Sequence, residues 1–392
     1  MAERRSWRWL GRLAAGGGLA VVAFYGAGGW YFSGQLYQLG LSAKSHDPKP
    51  ISYDLSISSV NGSELSLSLG ANAPREATLG GTWGLQWRQG NAELVNLVHK
   101  GPSVAVWSYK MISGSLPTAG TKAAITTSVF PSNPGAGLGL AYSNVTYKGP
   151  LGRYPAWFVP AQGSTWAIVV HGNSMSRLDG IKLVPTLHQS GLAVLVITYR
   201  NDPGAPASPD GMLHYGQTEW EDLQAAVGYA LGHGAKKVVL VGYSMGGGIV
   251  ASFLEKSHLA PKVAGAVLDA PMLDFSATVN YGAREIDLPL LGIPIPASLT
   301  SVAKWLATLR FGINWRALDY LDSAQRLHTP ILLFQGGADR VIPPSTSEAL
   351  KQKLPHLVTY VEVPRAGHIQ SWNIDPRRYD AQVKSFLLRV GA

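Results

Sequence analysis

The spacing of apolar and polar residues divides the chain into two regions with different patterns. In the earlier one, apolar residues alternate with small polar ones, as in Ile51–Ser58 and Glu64–Leu69. This alternation predicts strands that are buried on one face. Asn61 and Gly62 lie between the two segments and predict a hairpin turn. We therefore expect a β-rich region over residues 34–140.

The later region has short, continuous apolar runs separated by helix-like stretches. The runs predict strands at Trp166–Val170, Leu192–Thr198, Lys237–Val241, Val263–Leu268 and Ile331–Phe334. The stretches between them predict helices at Thr218–Leu231, Met245–Glu255 and Ser345–Leu354. Strands that alternate with helices predict an α/β domain whose mostly parallel sheet is covered by helices on both faces. We expect this domain to cover residues 141–392, with a cap inserted at about 271–328.

The N-terminal residues 1–33 resemble a membrane anchor. The segment from Leu13 to Phe32 has no charged residue, and as a helix its length of about 20 residues would span a bilayer core of about 30 Å. Four arginines precede it and predict a cytoplasmic N-terminus: Arg4, Arg5, Arg8 and Arg12. We expect a single-pass membrane protein with its folded part outside the cytoplasm. The alternative is a signal peptide, with Ala27 and Gly29 as small residues before a cleavage site, and a secreted product.

Composition narrows the remaining functional classes. The net charge is +9, but after the N-terminal arginines the basic residues are scattered. This distribution argues against a nucleic-acid partner. The chain has no cysteine, which excludes disulfides, zinc–thiolate sites, iron–sulfur clusters and a cysteine nucleophile. We predict no metal and no cofactor, and nothing in the sequence indicates an oligomeric state.

A candidate nucleophile lies between a predicted strand and a predicted helix. The residues from Gly242 to Gly246 read GYSMG, which fits the G-x-S-x-G pattern of a sharp strand-to-helix turn that exposes a serine hydroxyl. Ser244 is the predicted nucleophile. An ordinary glycine-rich turn would share the pattern. However, the segment GYSMG lies directly after an apolar run and before a predicted helix, which favours the catalytic interpretation.

A serine needs a base and an orienting acid to react. His368 follows the strand-like Val358–Val363, and Asp339 follows Ile331–Phe334. The chain order is therefore Ser, Asp, His, which is the order found in proteins that have this kind of serine turn. We predict His368 as the base and Asp339 as the acid. Asp269, which also ends a strand, is the alternative acid, and His214 is the alternative base.

Backbone amides are the predicted oxyanion donors. One is the amide of Met245, which follows the nucleophile, and the other is that of Asn173, in the loop after Trp166–Val170. Residues at nearby strand ends are predicted to bind substrate: His171, Tyr199 and Tyr243. His171 is also suited to supporting its loop.

These motifs together resemble those of the α/β-hydrolase superfamily. HGN, GYSMG, GGADRVIP and AGH occur in the expected order from about Tyr142 to the end of the chain. The sequence is most similar to the lysophospholipase, monoacylglycerol-lipase and serine-aminopeptidase-like branches and to membrane-anchored ABHD-type hydrolases. One departure is the sequence RNDPGAP after Tyr199, where many relatives have a glycine-rich turn.

The resemblance implies a serine hydrolase, and the cap bears on its substrate. Leu288–Leu299 is apolar and rich in proline, which suits a small-molecule or lipid ester. The alternative is that these residues simply pack the cap against the domain. We predict a membrane-anchored carboxylic ester hydrolase. Two alternatives stay open: a serine aminopeptidase or acyl-peptide hydrolase, and a non-catalytic binding module that uses the β-rich region for recognition.

Overall fold

The computed structural model of the chain describes residues 21–47, 50–288 and 292–392. The first described element is helix α1, over residues 21–36, followed by a π-helical turn at Tyr37–Leu41 and a 3₁₀ turn at Ala43–His46. We call residues 37–46 the N-terminal turn.

The predicted β-rich region is a closed six-stranded barrel. Its strands are β1 (Leu55–Asn61), β2 (Glu64–Ser68), β3 (Trp83–Trp87), β4 (Gly90–Lys100), β5 (Val104–Gly114) and β6 (Lys122–Thr126). Their order is β1-β2-β5-β4-β3-β6, and β6 pairs with β1 to close the barrel. The predicted hairpin is confirmed, with Gly62 at φ +59° in a turn between paired Asn61 and Glu64. Alternate residues of each strand point inward, so the barrel core contains the fully buried Trp83 and Trp107.

The later region forms the predicted mostly parallel sheet. Its eight strands are β7 (Ser143–Gly149), β8 (Gly152–Val159), β9 (Thr165–Val170), β10 (Ala193–Ile197), β11 (Lys237–Tyr243), β12 (Val263–Asp269), β13 (Ile331–Gly336) and β14 (Val358–Val363). Their order is β14-β13-β12-β11-β9-β10-β8-β7, and the pairs formed by β8 are antiparallel. On β9, Ile168 and Val170 face one apolar core, whereas Ala167 and Val169 face another. Both faces of the sheet are therefore buried, as continuous apolar runs require.

Helices cover both faces of this sheet and form the cap. They are α2 (Pro134–Leu138), α3 (Arg177–Gly180), α4 (Val184–Gln189), α5 (Glu219–Gly232), α6 (Met245–Lys256), α7 (Phe275–Ala283), α8 (Ala297–Phe311), α9 (Pro344–Lys353), α10 (Ser371–Ile374) and α11 (Pro376–Arg389). The predicted helices correspond to α5, α6 and α9 within a residue or so at each end. Helices α7 and α8 lie within the segment predicted as a cap.

The described part of the predicted anchor packs against the cap. Residues 1–20 lie outside the described residues, and residues 21–32 belong to α1. Gly28 and Gly29 of α1 face Leu299 and Val302 of α8 so closely that a Cβ atom at Gly29 would lie 2.6 Å from Val302. Across the part of the chain that the structure describes, no helix combines the length and the apolar character needed to cross a membrane. The predicted span of residues 13–32 is described only over residues 21–32, so a membrane-crossing segment stays a prediction.

The barrel contacts the α/β domain at α10. The Asn373 amide donates hydrogen bonds to the carbonyl oxygens of Thr82 (2.9 Å) and Thr127 (3.1 Å), and the Thr82 N–H donates to the Asn373 carbonyl (2.7 Å). The Gln370 amide also donates to Glu76 Oε1 at 2.7 Å. These contacts fasten the barrel to the segment that directly follows His368.

Candidate active site

Ser244 lies at the sharp turn between β11 and α6. Its backbone has φ +51° and ψ −118°, a strained conformation for a residue with a side chain. Residue 246, two positions after the serine, is glycine because the space around it is crowded. A Cβ atom at Gly246 would lie 2.3 Å from the Val170 carbonyl oxygen. Gly172 is needed for the same reason, since its Cβ would lie 2.9 Å from the Ser244 Cβ. The turn thus holds the serine above the sheet, directly beside the loop that follows β9.

The side chains of Ser244, His368 and Asp339 form one hydrogen-bonded chain. His368 Nε2 lies 2.9 Å from Ser244 Oγ, and His368 Nδ1 lies 2.9 Å from Asp339 Oδ2. Because a carboxylate accepts, Nδ1 carries the proton and Nε2 is free to accept the serine proton. The Asp339 side chain is fully buried, whereas one fifth of the His368 side chain is exposed. This geometry allows a proton to move from serine to histidine.

Backbone and side-chain donors fix the Asp339 carboxylate. Oδ1 accepts from the N–H groups of Val341 (2.8 Å) and Ile342 (3.0 Å), and Oδ2 also accepts from the Gln335 amide (3.2 Å). Hydrogen bonds of this kind favour the charged form of a carboxyl group. The carboxylate is therefore oriented independently of the histidine that it contacts.

The alternative acid and base have other partners. Asp269 accepts a hydrogen bond from the Ser371 hydroxyl at 2.9 Å, and its burial raises its pKa to about 6. Its backbone carbonyl accepts from the Ser244 N–H at 3.1 Å, so it lies beneath the turn. His214 pairs with Asp210 at 2.9 Å. Neither replaces Asp339 or His368 in the chain of hydrogen bonds to Ser244.

The two predicted oxyanion donors belong to residues next to the serine turn. Met245 is the first residue of α6, where an N–H group has no partner within the helix. Asn173 follows Gly172, which touches Ser244. Among the residues that the structure describes, neither the Met245 N–H nor the Asn173 N–H has a hydrogen-bond acceptor. Two unpaired N–H groups near the serine hydroxyl could bind a developing negative charge.

The predicted substrate-binding residues are all buried. The exposed fractions are 1% for His171, 0% for Tyr199 and 1% for Tyr243. The Tyr199 hydroxyl lies 3.1 Å from the His171 carbonyl and 3.2 Å from the Gly172 carbonyl. His171 and Tyr199 thus support the loop before Asn173, and substrate contact by any of the three stays a prediction.

Sequence reasoning missed a buried polar cluster behind this loop. His46 Nε2 lies 2.7 Å from Asp202 Oδ1, and His171 Nε2 lies 2.9 Å from Asp202 Oδ2. Burial raises the pKa of Asp202, but the two histidines outweigh burial and lower it to about 2. Burial likewise lowers the pKa of His171, and Asp202 more than offsets this, so the pKa is raised. Asp202 lies in the turn after β10, which is a usable signal, but nothing near His46 in the sequence indicates its partners.

This cluster has the composition of a metal site. The ligand atoms of His46, His171 and Asp202 lie within 4.8 Å of one another. However, each histidine nitrogen that faces Asp202 already lies at hydrogen-bond distance from a carboxylate oxygen. The geometry is therefore that of a hydrogen-bonded network.

An apolar cavity of about 280 Å³ lies between α1, the N-terminal turn and the cap. It is lined by apolar side chains that include Phe32, Leu36, Phe275, Val279, Ile295 and Ala303. Ser244, His368 and Asp339 do not line this cavity, but hydrogen bonds link two of its walls to the serine site. The Gly40 carbonyl accepts from the Tyr215 hydroxyl, which in turn accepts from the Asn173 amide. Helix α7 carries Tyr281, whose hydroxyl donates to the Asp339 carbonyl at 2.9 Å.

Comparison with known proteins identifies relatives of uncharacterized function and a solved esterase with a similar fold. The chain is 27% identical over 305 residues to the uncharacterized protein Rv2307c of Mycobacterium tuberculosis strain H37Rv, covering 75% of this chain and 92% of that protein. It is also 27% identical over 245 residues to the uncharacterized protein MT2364 of strain CDC 1551, covering 60% of this chain and 75% of that protein. The structure of the Pyrococcus furiosus esterase Pf2001 superposes with a TM-score of 0.52 and 19% identity, covering 66% of this chain and 95% of that one. Residues 167–382, more than half of the chain, match the model of the alpha/beta hydrolase family. The chain therefore belongs to the alpha/beta hydrolase family.

Proposed function

We propose that this protein is a serine hydrolase that cleaves carboxylic esters through an acyl-enzyme intermediate. The observation that carries the proposal is the pair of 2.9 Å hydrogen bonds that join Ser244, His368 and Asp339. Family membership and the strained serine turn support it. Because one fold hosts many activities, the proposed activity rests on the site and not on the fold.

Each residue has a role in the proposed mechanism. Ser244 attacks the ester carbonyl while His368 Nε2 takes its proton, and the same proton then goes to the leaving alcohol. A water molecule, deprotonated by His368, cleaves the acyl–serine bond. Asp339 stabilises the imidazolium, and the N–H groups of Asn173 and Met245 bind the oxyanion of both tetrahedral intermediates.

The cavity favours an ester with an apolar acyl or alcohol group. Apolar side chains make up most of its lining, and such surroundings favour the binding of hydrocarbon groups. We propose a lipid or lysolipid ester as the substrate class.

The peptidase alternative needs an acidic site for a substrate ammonium group. Three acidic side chains of the cap region have separate partners. Glu285 lies 3.9 Å from Arg340, Asp322 lies 3.7 Å from Arg316, and Asp319 accepts from the N–H of Leu321. Since they do not converge on the cavity, they favour an ester over a peptide.

A fluorophosphonate probe tests the enzyme proposal. We expect the full-length wild-type chain to be labelled, Ser244→Ala to be unlabelled, and the exposed-site control Ser385→Ala to be labelled like wild type. Labelling of Ser244→Ala, or none of wild type, would support a binding module instead.

Substrate profiling tests the ester proposal. We expect p-nitrophenyl esters to be hydrolysed and aminoacyl anilides to be left intact, with a preference for long acyl chains. Val279→Trp should narrow the cavity and remove that preference, whereas Leu309→Trp, on the exposed side of α8, should keep it. Cleavage of anilides alone would favour the peptidase.

We also propose that the protein acts at a membrane, with its hydrolase domain outside the cytoplasm and its N-terminal segment as the anchor. Secretion after signal-peptide cleavage is the alternative. Exposed apolar side chains on α1 and α8 support membrane contact: Val22, Trp30, Tyr31, Trp305 and Leu309. Aromatic residues favour the membrane–water interface.

Vesicle binding tests the membrane proposal. We expect the full chain to float with vesicles of phosphatidylcholine and phosphatidylglycerol. The double variant Trp305→Glu, Leu309→Glu should weaken this binding, whereas Leu388→Glu, at an exposed leucine on α11, should not. Equal binding of both variants would argue against contact through the cap.

A further inference from the structure

We infer that His46, which precedes the hydrolase domain, is a positioning residue for the oxyanion loop. This inference rests on the proposed function. His46 is fully buried in the N-terminal turn, 127 residues before Asn173 in sequence, and lies outside the segment that matches the family. Its imidazole contacts the Asn173 side chain on one side and Asp202 on the other.

The hydrogen bonds around Asn173 fix which atoms donate. Asn173 Oδ1 accepts from the Ser174 N–H at 2.8 Å, so this end of the amide is its oxygen. His46 Nδ1, 3.1 Å from the same oxygen, must therefore be a donor. His46 Nε2 lies 2.7 Å from a carboxylate oxygen of Asp202. The ring thus bridges Asp202 and the oxyanion loop.

Further contacts hold the same loop to the N-terminal turn. The Ser174 hydroxyl donates to the Ser45 carbonyl at 2.6 Å. The Asn173 amide nitrogen donates to the Tyr215 hydroxyl at 3.3 Å, and that hydroxyl donates to the Gly40 carbonyl at 2.7 Å. Both ends of the Asn173 side chain are therefore linked to the N-terminal turn, which limits rotation of the adjoining backbone.

The backbone of this loop carries the proposed oxyanion donor. Ser174 has φ +56°, so the loop needs outside contacts to maintain a strained shape. An oxyanion donor acts only when it is already aimed at the charge that develops. His46 would thus affect the transition state without touching substrate, which predicts a change in kcat rather than in KM.

Steady-state kinetics of the full-length protein test this inference. His46→Phe keeps a ring of similar size but removes both hydrogen bonds, and His46→Gln can keep one of them. Active sites are counted by fluorophosphonate titration. We expect kcat on a p-nitrophenyl ester to fall about 10- to 100-fold in His46→Phe and by less in His46→Gln. The expected loss is smaller than the loss of about 10²- to 10³-fold that follows when an oxyanion donor is removed outright. KM should stay within about twofold. His188→Phe is the control, because among the described residues the half-buried His188 ring contacts a single hydrogen-bond partner, the Pro160 carbonyl, elsewhere in the domain.

Two further measurements separate positioning from general loosening of the fold. A trifluoromethyl ketone forms an adduct that carries the oxyanion, so its inhibition constant should rise by the factor by which kcat falls. His46→Phe combined with Asn173→Ala should lower kcat no further than the more damaging single variant, because coupled residues are not additive.

Several results would overturn the inference. These are an unchanged kcat in His46→Phe, equal losses in His188→Phe, or independent, multiplying losses in the double variant. One zinc ion per wild-type chain, lost in His46→Phe, would replace the hydrogen-bonded network with a metal site. A wild-type chain that neither labels nor hydrolyses esters would overturn the proposed function as well, whereas an active wild type with an unchanged His46→Phe would overturn this inference alone.

Discussion

The barrel and the hydrolase sheet are both rich in strands, but they place polar residues differently. In the barrel every strand pairs antiparallel, so strand ends of both kinds occur at each rim. In the hydrolase sheet the pairs from β10 to β14 through the centre are parallel. Parallel strands bring their carboxyl ends to one edge, where residues far apart in sequence can meet. Ser244, Asp339 and His368 meet at such an edge.

The two regions therefore bear differently on the proposed chemistry. None of the predicted site residues lies in the barrel, and one of its contacts with the hydrolase domain is at α10, just after His368. We expect substitutions at the edge of the sheet to change turnover and substitutions in the barrel to change stability.

The largest effect is expected for Asp339→Asn. An amide in place of this carboxylate would favour the wrong histidine tautomer, and we expect kcat to fall by about 10⁴-fold. Asp269→Asn is the matched comparison, since both residues lie at carboxyl ends of adjacent strands and are buried. Kinetics on a p-nitrophenyl ester measure both. A larger loss in Asp269→Asn than in Asp339→Asn would reverse the assignment of the acid.

Trp107→Ala should affect the barrel alone. Trp107 is fully buried, and its indole N–H donates to the Ala77 carbonyl at 2.9 Å. We expect a loss of about 3–5 kcal/mol in the stability of the barrel, with kcat at 25 °C close to wild type. Denaturant unfolding followed by tryptophan fluorescence measures the loss, and Val95→Ala, at an exposed barrel position, is the control. A hundredfold fall in kcat would show that the regions are not separable.

Local pattern predicted the hydrolase sheet better than the barrel. Continuous apolar runs identify strands buried on both faces, and the predicted strands match β9 to β13 closely. In the barrel, alternation identifies the inward face but not the partner of each strand, so neither closure of β6 on β1 nor the barrel order could be predicted. The first strand begins at Leu55 and not at Ile51. Residues 131–139, which are rich in glycine and proline, contain α2, whose start is marked by the capping Asn133.

The site shows the same limit. Ser244, Asp339 and His368 follow strands and have local motifs, so sequence identifies them. His46 and Gln370 have no such motif, because their roles depend on contacts across the chain. Tyr199 and Tyr243 are buried at strand ends, and substrate contact by either stays a prediction, because a strand end does not determine whether a side chain faces a pocket or the interior.

Asp269→Asn should also change stability with pH. Burial raises the pKa of Asp269 to about 6, above the usual value of about 3.9. Folding therefore favours the protonated acid, and this stabilisation is complete below about pH 4 and is lost as the pH rises through about 6. An asparagine cannot ionise, so at pH 8 we expect Asp269→Asn to be more stable than wild type by about 2–3 kcal/mol, with little difference at pH 4.

Thermal unfolding at the two pH values measures this change. The control is Glu348→Gln, at an exposed carboxyl group on α9. A gain that does not depend on pH would mean that folding does not raise the pKa of Asp269.

The smallest effect is expected where the barrel contacts the site. Glu76 accepts from the Gln370 amide at 2.7 Å, and Gln370 Oε1 accepts from the N–H of Gly367, the neighbour of His368. Glu76→Ala removes one hydrogen bond, worth about 1 kcal/mol, and we expect kcat to fall about two- to fivefold with KM unchanged. Glu64→Ala, on β2 of the barrel, is the control and should leave kcat unchanged. If the two variants behave alike, the barrel does not position the base, and the separation between a stabilising region and a reacting region is complete.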